Sequence, residues 1–307
     1  MVPRIYKEPA DLQKMCALLQ RGCTCPTGAY YPHPGDLHWW LYNWLDGHDP
    51  WQDIYLWDDT AESGRLLAWA LLSTPWSAFD VFVQPELWDS AWVTELNTWV
   101  EGKSTEKALE QGHKHIWRMN VAETDPGLCD HLRRRGFQHV ERDDMLALTC
   151  SLERNPPQPA LPAGYTLRQV VEADAQSRAM AQYAAFKADI PWDDYLQRYR
   201  NFLTSPAYDR GHDWIVIAPD GRVAAFCIVW PDAATCIGQI EPIGTHPDFQ
   251  HQGLGKAVMT AGLGYLQSLG MRSARVSVRT DNVKAIRLYE SVGFRMVKKL
   301  LTYQKLI

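Results

Sequence analysis

The chain lacks any apolar run long enough to cross a bilayer. None of its 307 residues belongs to an uninterrupted apolar stretch of about 18 residues, and the segment Met1–Glu8 lacks the apolar core of a secretory signal. Basic runs are absent too, and the net charge is -5, which disfavours binding to nucleic acid or to anionic lipid. We therefore expect a cytoplasmic protein with no nucleic-acid partner and no membrane partner.

The cysteines do not form the pattern of a disulfide framework. There are seven of them, an odd number, scattered over the chain, which is typical of reduced thiols in a reducing compartment. Cys23 and Cys25 stand close together, but no second Cys or His pair follows at zinc-binding spacing. We therefore expect no structural metal.

The length of the chain indicates two domains, since domains of about 150 residues are common. The clearest boundary lies at 153–163, where four prolines fall within the seven residues 156–162. Proline joins neither a helix interior nor a sheet interior, so this segment is interpreted as a stiff linker. We predict domains at residues 1–152 and 164–307.

The most informative motif is Gln250-His251-Gln252-Gly253-Leu254-Gly255, followed by Lys256. It stands between an apparent strand that ends near Pro247 and an apolar-periodic helix at 257–269. Free N–H groups at a helix start and two glycines without Cβ atoms provide a place to hold a pyrophosphate. The spacing matches neither a Walker loop nor the dinucleotide fingerprint, because the required glycines and the Ser or Thr after the lysine are missing.

A second motif lies downstream, after a strand at 274–278. It reads N-x-x-A-x-x-x-Y and then G-F, from Asn282 through Ala285 and Tyr289 to Gly293 and Phe294. Together the two motifs resemble the GCN5-related N-acetyltransferase (GNAT) family over nearly all of residues 164–307. The resemblance implies an α/β (α+β) fold with a mixed, mostly antiparallel central sheet flanked by helices. It also implies acetyl-CoA as co-substrate and no metal.

The first half repeats the order of signals but not the chemistry. Gly136-Phe137 and an alternating stretch to Leu152 echo the end of the chain. Bulky residues at 88–93 replace the glycine loop, however, and Leu132 replaces the tyrosine. We therefore expect a tandem protein whose N-terminal repeat is degenerate and binds no acyl-CoA in the usual way. Eleven of the fourteen tryptophans fall in this half, and six of these form the clusters Trp39-Trp40-Trp44 and Trp88-Trp92-Trp99. At these spacings, burial in a core or interface is favoured over a substrate wall.

The resemblance assigns cofactor-binding roles in the second half. The strand Ile243-Gly244-Thr245 would hold the pantetheine arm by main-chain hydrogen bonds, and one of its N–H groups would face the thioester oxygen. Asn282 would contact the pantetheine or its phosphate side. The Tyr289 hydroxyl would donate a proton to the departing sulfur. The pyrophosphate would be held by Gln250, His251, Gln252, Gly253, Leu254, Gly255 and Lys256, although Lys256 could equally be a solvated lysine.

Glu241 is the predicted base, because strict alternation would place it on the strand face of Ile243 and Thr245 and because several family members carry a glutamate on this strand. A raised pKa from partial burial would suit that role, whereas an ordinary ion pair is the alternative. Strict alternation places His246 on the opposite face, where it would shape the turn before Pro247 rather than act as base, although a bulge would reverse this. Four aromatic residues could line an acceptor pocket: Phe186, Trp192, Tyr195 and Tyr199. For at least half of them, packing of a helix against the sheet is the stronger expectation. The nearby Asp189, Asp193 and Asp194 suit a cationic acceptor or a solvated cluster equally.

The sequence thus predicts an N-acetyltransferase, active in its C-terminal domain, that moves an acetyl group from acetyl-CoA to a primary amine of a small molecule. A family member with the same tandem plan makes mycothiol, which suggests an amino-sugar or amino-acid conjugate as acceptor. Two alternatives stay open: a CoA-binding regulatory module without turnover, and transfer to a protein amine. We expect a monomer or a homodimer.

Overall fold

The strands of both halves form one continuous sheet. The structure is a computed structural model that describes residues 2–25, 28–43, 49–61, 64–73 and 76–307. Its strands are β1 (Arg4–Ile5), β2 (Ile54–Asp58), β3 (Leu66–Ser73), β4 (Ala78–Val83), β5 (His115–Ala122), β6 (Gln138–His139), β7 (Met145–Ser151), β8 (Thr166–Gln169), β9 (Asp213–Ile217), β10 (Val223–Asp232), β11 (Ile237–Thr245), β12 (Ser273–Arg279) and β13 (Arg295–Leu306).

Helices cover both faces of this sheet. They are α1 (Pro9–Thr24), α2 (Pro34–Tyr42), α3 (Ala91–Glu110), α4 (Pro126–Arg134), α5 (Ala175–Phe186), α6 (Trp192–Phe202), α7 (Leu254–Ser268) and α8 (Val283–Ser291). Within the described ranges, no helix combines the length and the apolar character needed to cross a bilayer.

The sheet order shows that the two halves exchange their last strands. The order is β1-β2-β3-β4-β5-β13-β7-β12-β11-β10-β9-β8, with β6 paired to β13. The pairs β4–β5 and β11–β12 are parallel, and the remaining pairs are antiparallel. Strand β13 of the second half therefore lies beside β5, and β7 of the first half lies beside β12. We keep residues 153–163 as the proposed boundary along the sequence, although the sheet itself has no boundary there.

The exchange makes a direct prediction about cooperativity. Residues 164–307 produced alone would lack β7, whose register with β12 runs from Met145 to Ser151, and would expose the edge of β12 to solvent. We expect this fragment to show no cooperative thermal transition by circular dichroism, whereas the full chain unfolds in a single transition. Co-production with residues 1–163 should restore the transition. A stably folded, monomeric fragment 164–307 would contradict the exchange.

The tryptophans serve mainly as packing residues. Trp88 and Trp92 lie against the core under α3, and Trp39 packs edge-on against Phe202 of α6 at 4.8 Å, which joins the two halves. Trp99 contacts Tyr55 and Trp57 at 5.1 and 5.4 Å between ring centroids. Trp44 lies outside the described residues.

Both parallel strand pairs separate after a short stretch of pairing. Strand β11 pairs with β12 only from Ile237 to Gln239 and then runs on to Thr245, while its other edge stays paired with β10. Strands β4 and β5 pair only at Ala78 and Phe79. Each half therefore contains a wedge-shaped opening in the sheet, where one edge of a strand carries backbone groups without a strand partner.

Candidate active site

The C-terminal opening, between β11 and β12, is continued by a loop that presents free N–H groups. His251 and Gly253 adopt left-handed conformations, with φ of 65° and 79°, and α7 begins at Leu254. Among the described residues, the backbone N–H groups of 251–256 have no hydrogen-bond acceptor, because the first turn of a helix leaves its donors unused. Together with the helix dipole, these groups form a site for an anion.

The two glycines of the loop are needed for different reasons. Gly253 has a positive φ and open space where a Cβ would stand, so a side chain there would be strained and would point into the space that a ligand needs. At Gly255 a Cβ would lie 3.0 Å from Thr245 Oγ1 and 3.4 Å from Leu288 Cδ2. Glycine at 255 therefore lets α7 start directly against the end of β11.

Side chains around the loop hold its shape. Gln250 Nε2 donates to the Thr245 carbonyl at 3.4 Å, and the Tyr165 hydroxyl donates to Gln252 Oε1 at 2.7 Å. Both glutamines of the motif therefore brace the loop. Lys256 is exposed at the start of α7, where its charge adds to the positive end of the helix.

Side-chain hydrogen bonds to the backbone fix His246 in a turn and Asn282 at a helix start. His246 Nδ1 accepts from the Asp248 N–H at 3.2 Å, so His246 shapes the turn as expected. Asn282 Oδ1 accepts from the Ala285 N–H at 3.2 Å and caps α8. The carbonyl end of Asn282 is thus engaged in the helix start, which leaves its amide NH2 for any ligand.

Tyr289 lies on α8 beside the opening. Its side chain is only 6% exposed and belongs to the core between the sheet and α7. Burial raises the pKa of the Tyr289 hydroxyl, and the nearby Glu241 carboxylate raises it further, so the hydroxyl keeps its proton at neutral pH. Among the described residues, this hydroxyl has no hydrogen-bond partner. It can therefore donate its proton to a ligand atom in the opening.

Glu241 departs from the strict alternation that the sequence suggested. The register between β10 and β11 shifts so that Cys227 faces Ile243 and Val229 faces Ile240, which is a bulge of one residue in β11. Ile240 and Ile243 both pack in the core under α7, although strict alternation would put them on opposite faces. The expectation that Glu241 shares the face of Ile243 and Thr245 is therefore wrong, because the bulge resets the alternation after Glu241.

The structure adds a second carboxylate, which the sequence did not point to. Asp36 lies in the first turn of α2 in the N-terminal half and accepts hydrogen bonds from the His33 N–H at 3.0 Å and from Gln239 Nε2 of β11 at 3.1 Å. Gly35 makes this approach possible, since a Cβ there would lie 2.5 Å from the Trp230 ring. Trp230 Nε1 in turn donates to the Glu241 carbonyl at 2.6 Å. The first turn of α2 is thus fixed against β10 and β11.

Asp36 and Glu241 influence each other's ionisation. Burial raises the pKa of Glu241 to about 8, and the negative charge of Asp36 contributes to the rise. Burial also raises the pKa of Asp36 to about 7, against the opposing effect of the Arg275 guanidinium. Since the negative charge of Asp36 disfavours ionisation of Glu241, the pKa values of both carboxyl groups lie near or above neutral pH.

The aromatic residues predicted to line an acceptor pocket divide into three kinds. Tyr199 is 2% exposed and belongs to the core. Trp192 and Tyr195 pack around Tyr183, at 5.4 and 5.1 Å between centroids. Phe186 is 48% exposed and forms an open wall beside Phe226 at 5.8 Å. The three aspartates of this segment, Asp189, Asp193 and Asp194, are all exposed.

The corresponding opening in the N-terminal half is filled by a side chain. Arg118 of β5 is 2% exposed and donates to the carbonyls of Phe79 and Val81 of β4, at 3.5 and 3.4 Å, and to the Asp80 carboxylate. The Phe79 and Val81 carbonyls, at the opening between β4 and β5, are therefore already hydrogen-bonded. Together with Leu132 in place of a tyrosine, this supports our expectation that the N-terminal half does not bind acyl-CoA.

The part of the chain that holds the glycine loop and Tyr289 is similar to known acetyltransferases. Residues 177–294 match the model of a family described as "Acetyltransferase (GNAT) family". A mycothiol acetyltransferase from Pseudarthrobacter chlorophenolicus is 30% identical over 172 residues, which cover 54% of this chain and 53% of that protein. The chain thus spans about half the length of the curated relatives that it matches.

Two solved structures share the fold over nearly the whole chain. One is a tandem GNAT protein from the clavulanic acid biosynthesis pathway, with a TM-score of 0.71 and 16% identity, covering 99% of this chain and 97% of that chain. The other is a GCN5-related N-acetyltransferase from Sphaerobacter thermophilus, with a TM-score of 0.69 and 19% identity, covering 99% of this chain and 95% of that chain. They confirm the tandem fold class predicted from the sequence.

Proposed function

Because this chain belongs to the GNAT superfamily, we propose that its C-terminal half transfers an acetyl group from acetyl-CoA to a primary amine of a small molecule. One observation carries the proposal. The opening beside β11 joins a loop of free N–H groups at one end to Tyr289 and the Asp36–Glu241 pair at the other.

Each part of the donor has a matching group in the chain. The N–H groups of 251–256 would hold the pyrophosphate, with Lys256 adding charge. The free edge of β11 at Ile243, Gly244 and Thr245 would bond the pantetheine arm, and the Asn282 amide would contact it from α8. This arrangement directs the thioester sulfur toward the Tyr289 hydroxyl.

The transfer then requires a base for the amine, a donor to the oxyanion and an acid for the thiolate, and the chain has a group for each role. Glu241, whose pKa is raised by burial and by the charge of Asp36, removes a proton from the acceptor ammonium, directly or through water. The neutral amine attacks the thioester carbonyl, and a backbone N–H of β11 stabilises the tetrahedral oxyanion. Collapse breaks the carbon–sulfur bond, and the Tyr289 hydroxyl donates its proton to the leaving thiolate. The amide nitrogen loses its extra proton, which returns to the Tyr289 oxygen directly or through water.

The acceptor side favours a small, positively charged amine. Asp36 and Glu241 place negative charge at the end of the opening, and Phe186 offers an apolar wall beside it. Since Asp36 comes from α2, we propose that the N-terminal half completes the acceptor site. The name of the curated relatives directs the first choice of acceptors toward amine precursors of thiols such as mycothiol.

A panel of amines tests this proposal. The full chain is incubated with acetyl-CoA and amino-sugar, amino-acid and peptide amines, and the release of CoA is followed by mass spectrometry, since the seven thiols of the chain would react with thiol reagents. We expect turnover with at least one small amine. Binding of acetyl-CoA without turnover across the panel would indicate a regulatory module, and turnover with peptides alone would indicate protein acetylation.

The carboxylate pair predicts the pH dependence. The base must be ionised to accept a proton, and its pKa is raised, so kcat/KM should increase as pH rises through about 7 to about 8. Glu241→Gln should lower kcat/KM by about 10²-fold or more and abolish this increase with pH. Asp36→Asn should shift the increase to lower pH, because it removes the charge that raises the Glu241 pKa. A pH profile that is unchanged in both variants would exclude the pair as the base.

A further inference from the structure

A second cavity lies in the N-terminal half, apart from the candidate active site. It has a volume of about 960 Å3 and opens between α1, α2 and the short helical turn Pro50–Asp53, with Pro206 and Ala207 on one side. None of its lining residues belongs to the acetyl-transfer site described above. Its size is at the upper end of what small-molecule sites offer, roughly 300–1,000 Å3.

Aromatic rings form one continuous wall of this cavity. Tyr6 stacks on Trp51 at 4.5 Å between centroids, with 25° between the ring planes. Tyr42 meets Trp51 edge-on at 5.6 Å and lies parallel to His38 at 6.1 Å. The faces of such rings carry negative charge density, which attracts cations.

No described residue that lines the inner part of the cavity carries a positive charge to oppose a cation. Burial lowers the pKa of His38 to about 4, so its imidazole is neutral. Burial raises the pKa of the neighbouring Cys16 to about 12, so its thiol keeps its proton. His38 is held in place by Ser205, with 3.1 Å between Nδ1 and Oγ.

The rim of the cavity is net acidic. Glu8, Asp49 and Lys7 are all exposed there. Within the described parts of the chain, neither Glu8 nor Asp49 has a basic residue in ion-pair contact; Asp49 instead accepts from the Trp51 N–H at 3.1 Å. Among the described residues of the rim, two carboxylates against one ammonium leave an excess of negative charge.

We propose that this cavity binds an organic cation, a substituted or quaternary ammonium group attached to an apolar body. The ammonium group lies against the Tyr6–Trp51–Tyr42 wall, where desolvated cation–π contacts are strongest, and Glu8 and Asp49 attract it to the entrance. The apolar body packs on Leu12 and Pro206. This inference stands independently of acetyl transfer, because no catalytic residue takes part.

Polar groups are also present for substituents on such a ligand. The hydroxyls of Tyr6 and Tyr42 make no hydrogen bond with the described residues, and neither does the Gln13 amide, which is exposed at the same cavity. Burial raises the pKa of the Tyr6 hydroxyl to about 12, so it can donate. The site therefore suits a cation that also carries a hydroxyl or carbonyl group.

Calorimetry with the full chain tests the proposal, with benzyltrimethylammonium chloride as the probe and benzyl alcohol as the uncharged comparison. We expect the cation to bind at least fivefold more tightly than the alcohol. Trp51→Leu should weaken cation binding about tenfold, and Glu8→Gln, an exposed change that leaves packing intact, should weaken it about threefold at low salt. The matched control Trp99→Leu removes a tryptophan that contacts Tyr55 and Trp57 instead and should leave binding unchanged.

Three results would overturn the proposal. They are no heat with the cation, equal affinity for the cation and the alcohol, and cation binding that Trp51→Leu and Glu8→Gln both leave at the wild-type value. Equal affinity would identify a site for neutral aromatic molecules. Each of these outcomes leaves acetyl-CoA binding at the C-terminal opening untouched, so the failure of this inference is distinguishable from failure of the proposed function.

Discussion

Tyr289→Phe is expected to lower kcat by about 10²- to 10⁴-fold, the range that a positioned general acid supplies. The dissociation constant for CoA should stay within about twofold, because the ring itself is retained. That ring packs against Phe294 at 6.0 Å between centroids, and only the hydroxyl, which has no partner among the described residues, is removed. Steady-state kinetics and calorimetry on the same preparation separate the two effects.

Tyr265→Phe is the matched control for this prediction. Tyr265 lies on α7 in the same half and packs against Trp214 at 5.5 Å, away from the β11–β12 opening. The control should keep wild-type kcat. If Tyr289→Phe turned over as fast as the control, the hydroxyl would not be the proton donor to sulfur.

Gly253→Val is expected to weaken CoA binding at least about tenfold. The positive φ of 79° costs an ordinary side chain roughly 1–2 kcal/mol, and a β-branched side chain would project into the space where the pyrophosphate is proposed to lie. The loop would either lose its N–H geometry or block the ligand. Calorimetric titration with CoA measures the change.

Gly264→Val provides the control for that variant. Gly264 lies within α7, has no positive φ, and has no atom within 4 Å of the position that a Cβ would take. Its CoA affinity should therefore equal that of the unaltered chain. Equal affinities for Gly253→Val and Gly264→Val would place the pyrophosphate elsewhere.

Local patterns were sufficient to predict much of the second half. The alternating residues after Phe294 are typical of a strand, and β13 runs from Arg295 to Leu306. Asp281 and Asn282 are both typical helix caps, and α8 begins at Val283 with Asn282 as its cap. The proline, aspartate and glycine at 219–221 are typical of a hairpin turn, and β9 and β10 pair antiparallel on either side of it. In these places the information lies within a few residues: a cap, a turn, or a two-residue alternation.

What the sequence did not predict depends on contacts between distant residues. Asp36 reaches Gln239 only because α2 of the first half packs on the sheet of the second, and nothing local marks this aspartate. The bulge beside Glu241 is set by pairing with β10. The exchange of β7 and β13, and the filling of the N-terminal opening by Arg118, likewise depend on which strands become neighbours.

The most direct test of the account is a calorimetric titration of the folded, full-length chain with acetyl-CoA. We predict a single binding site per chain, because the C-terminal opening is free and Arg118 occupies the N-terminal one. An absence of heat would contradict the donor site on which the proposed transfer depends, and two sites per chain would contradict the assignment of a closed N-terminal opening.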